Sequence, residues 1–234
     1  KHVIFPPKPS NSKEREFLVR LDLKGKTVYD IGANIGLMTL LFSRAVGNTG
    51  HVYAFEPNKP IYCELQKNIR KANIKNVTSL CIGLGSKNHT ALLHVPANNT
   101  GRASLLRELF QKEDFINTCE VEIRTIDNLA VNMELRKPDL IKIDVEGSEL
   151  DVLYGMRDVL EQYEPNLLIE IHVAKGQDLS QNMKMICEFL EKRRYSLFHI
   201  ETERWLDKDN IFIHDGHIFS SKERRYRHRG GSGF

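Results

Sequence analysis

Apolar runs of strand length alternate with segments of helical period along most of the chain. The runs at 27–31, 52–55, 76–82, 139–145 and 166–173 are short and rich in Val, Ile and Leu, as buried parallel strands are. Between them apolar residues recur at threes and fours. Residues 37–45 form one such segment, and Ile61, Leu65, Ile69 and Ala72 mark the next, with Asn58 as a candidate N-cap and Pro60 in its first turn. Leu150, Leu153, Met156 and Leu160 predict a single helix over 148–161, and Met183, Ile186 and Leu190 another over 180–194. Strand and helix alternating in this way predict an α/β, doubly wound, mostly parallel sheet. Two more β runs, 196–201 and 210–220, flank a turn around Asp207, Lys208 and Asp209.

Three stretches fall outside this rhythm. Residues 1–10, with Pro6, Pro7 and Pro9, read as an extended arm, followed by a short helix carrying Phe17, Leu18 and Leu21. Residues 90–96 and 119–126 are β-like, and the polar segment around 97–118 between them predicts a lid or acceptor-binding loop. Asp127 is expected to cap a short helix that ends before Pro138. The resulting division is an arm and helix over 1–22, one domain over 23–220, and a basic tail over 221–234. At 234 residues the chain is long enough for one large domain with a two-faced core.

Charge and cysteine usage narrow the setting. A formal charge of +3 is too small to argue for a nucleic-acid partner, although Lys222, Arg224, Arg225, Arg227 and Arg229 crowd the tail. Cys63, Cys81, Cys119 and Cys187 have no metal-binding or disulfide spacing, which predicts a reducing, cytoplasmic setting. No secretory leader is legible, no apolar run is long enough to span a bilayer, and the chain starts at Lys1 as a trimmed or excised one would. Oligomeric state is not legible.

The candidate chemistry gathers at the ends of the predicted strands. Asp30-Ile31-Gly32-Ala33-Asn34-Ile35-Gly36 joins the first strand to a helix, a turn where glycine lets the backbone bend and a ligand approach. Twenty residues past Gly36, the second strand ends in Phe55-Glu56-Pro57, a spacing that suits a carboxylate chelating a ribose diol. Asn34 stands where dinucleotide sites often carry a second glycine, which leaves less room for a pyrophosphate and disfavours NAD. Lys142-Ile143-Asp144-Val145-Glu146-Gly147-Ser148-Glu149 places three acids at the next strand end, and Glu170-Ile171-His172 puts an acid and an imidazole on one strand face. Lys142 is a candidate ion partner for Asp144, and helix capping accounts for Glu149.

Taken together, these blocks resemble the FkbM family of S-adenosylmethionine-dependent methyltransferases, over roughly residues 25–175 and most specifically at Lys142 to Glu149. The resemblance implies the class I methyltransferase fold, a seven-stranded sheet closed by a C-terminal antiparallel hairpin. It also implies a cofactor site made of Asp30, Gly32, Ala33, Asn34, Gly36, Glu56, Pro57, Gly83, Leu84 and Asp144. In that reading Asp30 meets the cationic amino group of the cofactor, Glu56 takes the ribose, and Gly83-Leu84 borders the adenine.

Asp144, His172 and Glu170 are the catalytic candidates. Histidine suits removal of a proton from an alcohol near neutral pH, with an adjacent acid fixing its tautomer. Ligation of a divalent metal with Asp144 ranks second, and a packed structural histidine third; no residue is assigned to a metal. The Asn/Asp-Pro-Pro-aromatic turn of amino-methylating enzymes is missing at Asp144, which favours an oxygen acceptor. The expected reaction is O-methylation of a small molecule, a sugar or glycan foremost. A nucleic-acid 2′-O-methyltransferase and a non-catalytic cofactor-binding module are the alternatives.

Overall fold

A computed structural model of the chain describes residues 13–97, 103–107, 116–172, 179–206 and 216–222. In chain order the elements are α1 (Lys13–Val19), β1 (Thr27–Ile31), α2 (Leu37–Val46), β2 (His51–Phe55), α3 (Lys59–Lys71), β3 (Val77–Leu80), β4 (Gly83–Leu84), β5 (His89–Pro96) and β6 (Ile116–Arg124). There follow α4 (Ile126–Asn132), β7 (Leu140–Ile143), α5 (Glu149–Tyr154), α6 (Arg157–Tyr163), β8 (Asn166–Ile171), α7 (Leu179–Glu191), β9 (Ser196–His199), β10 (Arg204–Leu206) and β11 (Gly216–Ser221). The main sheet has the order β10-β9-β11-β8-β7-β1-β2-β3. From β3 to β8 it is parallel, and β11 and β9 close it antiparallel. The seven expected strands are all present, and β10 adds an eighth at the edge. The proline-rich arm, most of the 97–118 loop, the turn at 207–209 and the tail beyond 222 lie outside the described residues.

Strand periodicity assigns the two faces. On one face Tyr29, Ile31, Ile141, Ile143, Leu167 and Ile169 pack with Leu153, Leu160, Ile186 and Leu190 from α5, α6 and α7. On the other Val28, Val52, Leu140, Leu168 and Phe219 meet Phe17 of α1 and Phe42 and Val46 of α2. This second face turns polar as the strands reach their carboxyl ends: Asp30 lies beside Lys142 in register, and Glu170 beside His217. The polar ends of parallel strands are where such sheets bind ligands. On α3, Leu65 alone is buried; sealing one leucine of this kind contributes about 1.5–3 kcal/mol.

A second sheet, β4-β6-β5, holds its own small core of Leu93, Val95, Val121 and Ile123. Ser104, within the predicted loop, pairs with His94 of β5 and donates its hydroxyl to the carbonyl of Glu146 at 2.6 Å. That piece of the segment is therefore anchored, where the sequence shows polar loop alone.

Two local expectations are corrected. The helix expected over 148–161 is broken into α5 and α6 at Gly155, where the backbone of Gly85 packs so closely that a Cβ would lie 1.9 Å from the Gly85 carbonyl oxygen. Asp127 does not cap α4, where Thr125 accepts the N–H of Asn128 instead. The Asp127 carboxylate accepts the N–H groups of Asp158 and Val159, capping α6 from a distance. No helix among the described residues is long and apolar enough to cross a membrane.

Candidate active site

The turn after β1 is tied to both neighbouring strands. The N–H groups of Gly32 and Ala33 donate to the carbonyl of Phe55, and that of Asp144 donates to the carbonyl of Ile31. Gly32 has a φ of 77°, and a Cβ on it would stand 1.8 Å from the Asp144 carbonyl oxygen, so no other residue fits there. One cavity opens above this junction, between the carboxyl ends of β1, β2, β7 and β8 and the small sheet. Gly32, Asn34, Glu56, Pro57, Gly83, Leu84, Asp144, Glu170 and His172 line it, with an apolar wall of Ile61, Ile82, Leu93, Leu105 and Ile123.

Three of the residues expected at a cofactor site stand back from that lining. Asp30 is fully buried beneath it, accepting the Thr39 hydroxyl at 2.5 Å through Oδ2, while its Oδ1 finds no hydrogen-bond donor among the described residues. Burial raises its pKa, against the charge of Lys142 and the Thr39 hydrogen bond. Ala33 packs against Ala54 and Leu65, and Gly36 caps α2.

Glu56 marks one side of the cavity. Its Oε2 accepts the N–H of Asn34 at 2.9 Å and its Oε1 that of Asn58 at 2.8 Å, so backbone fixes both oxygens. Burial nevertheless pushes its pKa up to about 7, the two N–H groups offsetting part of that cost.

The opposite side is ionic. Lys142, buried at 3% exposure, reaches Asp144 Oδ2 at 2.8 Å. Burial would lower its pKa, but the charges of Asp144 and Asp30 raise it. Four carboxylates surround His172. Its Nδ1 is 3.1 Å from Glu149 Oε1, and its Nε2 is 3.5 Å from Glu170 Oε1 and 3.8 Å from both Asp144 Oδ1 and Glu146 Oε2. Burial alone would lower the imidazole's pKa; hydrogen bonds to Glu149 and Glu170 and the charges of Glu146 and Glu149 override that and push it up to about 11. In these surroundings His172 holds its proton at neutral pH.

The network extends past the cavity to residues the sequence did not single out. Glu170 Oε2 lies 3.4 Å from His217 Nε2, which is also 3.4 Å from Glu14 Oε2 on α1, and His217 Nδ1 is 2.6 Å from Glu201 Oε1. Hydrogen bonds from two imidazoles hold the Glu170 carboxyl well below the usual range. Glu146, with a φ of 50°, adopts the left-handed backbone that carries the chain from β7 into α5. Glu146 and Glu149 were visible as acids near a helix start, but nothing local showed that both turn toward His172. Glu14, Glu201 and His217 meet only once the register of β11 on β8 and the docking of α1 are known.

Comparison with known proteins agrees with this arrangement. A profile of the Methyltransferase FkbM domain matches residues 30–197. Methyltransferase 1 of Beauveria bassiana is 29% identical over 164 residues, 64% of this chain and 66% of that protein. The hexuronic acid methyltransferase AglP of Haloferax volcanii is 31% identical over 166 residues, 69% of this chain and 61% of that protein. The chain thus spans less than two thirds of the length of either relative. Among solved structures, an FkbM methyltransferase from Methylobacillus flagellatus superposes with a TM-score of 0.56 at 20% identity, over 88% of this chain and 46% of that one. Aeropyrum pernix fibrillarin, solved with S-adenosyl-L-methionine, gives 0.53 at 13% identity, over 89% and 72%. These structural likenesses show the class I methyltransferase fold; the profile, matched over well more than half the sequence, shows that the chain belongs to the FkbM methyltransferase family.

Proposed function

We propose that the chain is an S-adenosylmethionine-dependent O-methyltransferase acting on a hydroxyl of a small molecule, a sugar or glycan foremost. The observation that carries this reading is the division of one cavity into two chemically different sides, Glu56 on one and Asp144, Glu170 and His172 on the other. The cavity suits the cofactor on its own terms. Glu56 is a buried carboxylate whose geometry is fixed by backbone before any ligand arrives, leaving lone pairs for a ribose diol. The apolar wall beside Gly83 and Leu84 suits an adenine ring. S-adenosylmethionine would supply an activated methyl group on a sulfonium, so the protein need contribute positioning and a place for a proton, not a covalent intermediate.

Each side has its task in this scheme. Glu56 orients the cofactor, and the small sheet with Ser104 and Leu105 screens that part of the cavity from water. Asp144 stands opposite with Oδ2 held by Lys142 and Oδ1 toward His172, ready to orient an acceptor hydroxyl. The Asp144 and Glu170 carboxylates favour positive charge near the reacting oxygen. AglP acts, by its name, on a hexuronic acid, which makes uronic acids and their glycosides the first acceptors to test.

The experiment is transfer of labelled methyl from S-adenosylmethionine to a panel of free and glycosidic sugars, uronic acids, small phenols and RNA. Label in a sugar hydroxyl is expected. Label confined to RNA, or to nitrogen, would overturn the acceptor assignment.

A further inference from the structure

We propose that Asp144, Glu170 and His172 form a binding site for one divalent cation, of the Mg²⁺ or Mn²⁺ kind, at the acceptor side of the cavity. One ligand atom from each of the three lies within 4.8 Å of the others. His172 Nε2 is 3.8 Å from Asp144 Oδ1 and 3.5 Å from Glu170 Oε1, close to the separations of about 3–4 Å that neighbouring ligands of one such ion keep. The cavity lies beside the three groups, leaving room for the remaining ligands to be water or substrate hydroxyl.

The groups outside the trio argue more strongly than its proximity. Each of the three residues has its other polar atom pinned by a partner that is not itself a ligand. Asp144 Oδ2 is held by Lys142 at 2.8 Å, and Glu170 Oε2 faces His217 at 3.4 Å. His172 Nδ1 meets Glu149 Oε1 at 3.1 Å, and the same oxygen accepts the N–H of Gly147 at 2.9 Å. With Nδ1 against Glu149, Nε2 is the nitrogen that faces the two carboxylates, and a cation bound among the three would take the place of the Nε2 proton. Carboxylate–imidazole–metal sites are built this way.

Glu149 adds a separate observation. It is wholly buried, and its Oε2, one carboxylate width from the oxygen that meets His172, finds no hydrogen-bond donor among the described residues. A buried, unsatisfied carboxylate oxygen is costly unless positive charge stands nearby. The charge balance points the same way. Asp144, Glu146, Glu149 and Glu170 gather around one imidazole, with Lys142 the neighbouring ammonium. With His172 neutral as a ligand, the four carboxylates outnumber Lys142 and the His217 imidazole that faces Glu170, and a dication would offset the excess. Two carboxylate oxygens and one imidazole nitrogen suit Mg²⁺ or Mn²⁺, which prefer oxygen and tolerate open, water-filled positions. The cation's use, which rests on the methyltransferase reading, would be to acidify an acceptor hydroxyl so that its proton passes to solvent at neutral pH.

The test separates the site from the reaction. The full chain is stripped with EDTA and titrated with Mn²⁺ alone, without cofactor or acceptor, and bound ion is read by electron paramagnetic resonance. One Mn²⁺ per chain is expected, with a nitrogen coupling that disappears in His172→Asn. Asp144→Asn and Glu170→Gln should abolish binding, and His217→Gln, a partner once removed, should weaken it about 10–100-fold. Circular dichroism of each variant checks that it is folded. A folded parent that binds no Mn²⁺ at millimolar concentration, or equal binding by Asp144→Asn, overturns the site whether or not the enzyme transfers methyl. Mn²⁺ binding with methyl transfer that EDTA leaves untouched overturns the catalytic use and keeps the site. Mn²⁺ binding with no transfer to any acceptor sinks the methyltransferase reading instead.

Discussion

Glu56 and Glu170 sit at the carboxyl ends of two strands of one sheet and face the same cavity, yet their surroundings push them in opposite directions. Glu56 is held by two neutral backbone N–H groups, and burial raises its pKa to about 7. Glu170 is held between two imidazoles, whose hydrogen bonds and charges outweigh burial and drive it down. Neutral donors fix a carboxylate's position without fully compensating its charge, whereas imidazolium partners do both. The first arrangement suits a carboxylate that must accept hydroxyls from a ligand. The second suits a charged cluster that waits for a cation or a polar acceptor.

The largest expected effect lies on the ionic side. Asp144→Asn and His172→Asn should each slow methyl transfer by about 10²–10⁴ while cofactor affinity stays within a few-fold of the parent. Single-turnover rates beside calorimetric Kd values would show this; an equal loss in both quantities would erase the distinction between the two sides. Next comes Glu56→Gln, which should weaken S-adenosylmethionine binding by roughly 2–4 kcal/mol with little change in the rate of the bound complex. A variant that binds as tightly as the parent would remove Glu56 from the ribose site.

A pH titration sharpens the contrast further. A ribose diol donates to the ionised form of Glu56, so affinity should rise with pH and level off above about 7, changing by at most about tenfold per unit below that. Stability of the free protein should run the other way. A carboxyl whose folded pKa is raised contributes fully below its unfolded value and loses that contribution as pH rises through about 7. Thermal melts and calorimetry between pH 5 and 8, roughly the span in which this group titrates, would test both signs, and in Glu56→Gln both trends should flatten. The smallest effect is a control away from the cavity. Asp127→Ala removes the cap on α6 and should cost about 1 kcal/mol of stability, seen as a lower Tm, with neither Kd nor transfer rate altered.

The sequence disclosed whatever its chemistry carries within a few neighbouring residues. The β1 turn, Glu56 and Pro57, Gly83 and Leu84, the Asp144 block and the Glu170–His172 pair all occur in short blocks at strand ends, and the cavity unites most of them. Asp30 looked equivalent to Glu56 as a strand-end acid, but it is in register with Ala54, two residues short of Glu56, and so lies beneath the cavity against Thr39. What stayed hidden depends on contacts between distant segments. Gly155 lies at a helix break where Gly85 packs too closely for any side chain, and Asp127 caps a helix about thirty residues on. His217 reaches Glu170 through the antiparallel register of β11 on β8, which no local pattern of either strand encodes.

The central claim is that one cavity holds the cofactor on its Glu56 side and the acceptor on its Asp144–His172 side. A crystal structure with S-adenosylhomocysteine tests it most directly. The ribose diol is expected on the Glu56 carboxylate, with the sulfur turned toward Asp144 and His172. A ribose bound away from Glu56, or a sulfur facing away from the ionic cluster, would contradict it.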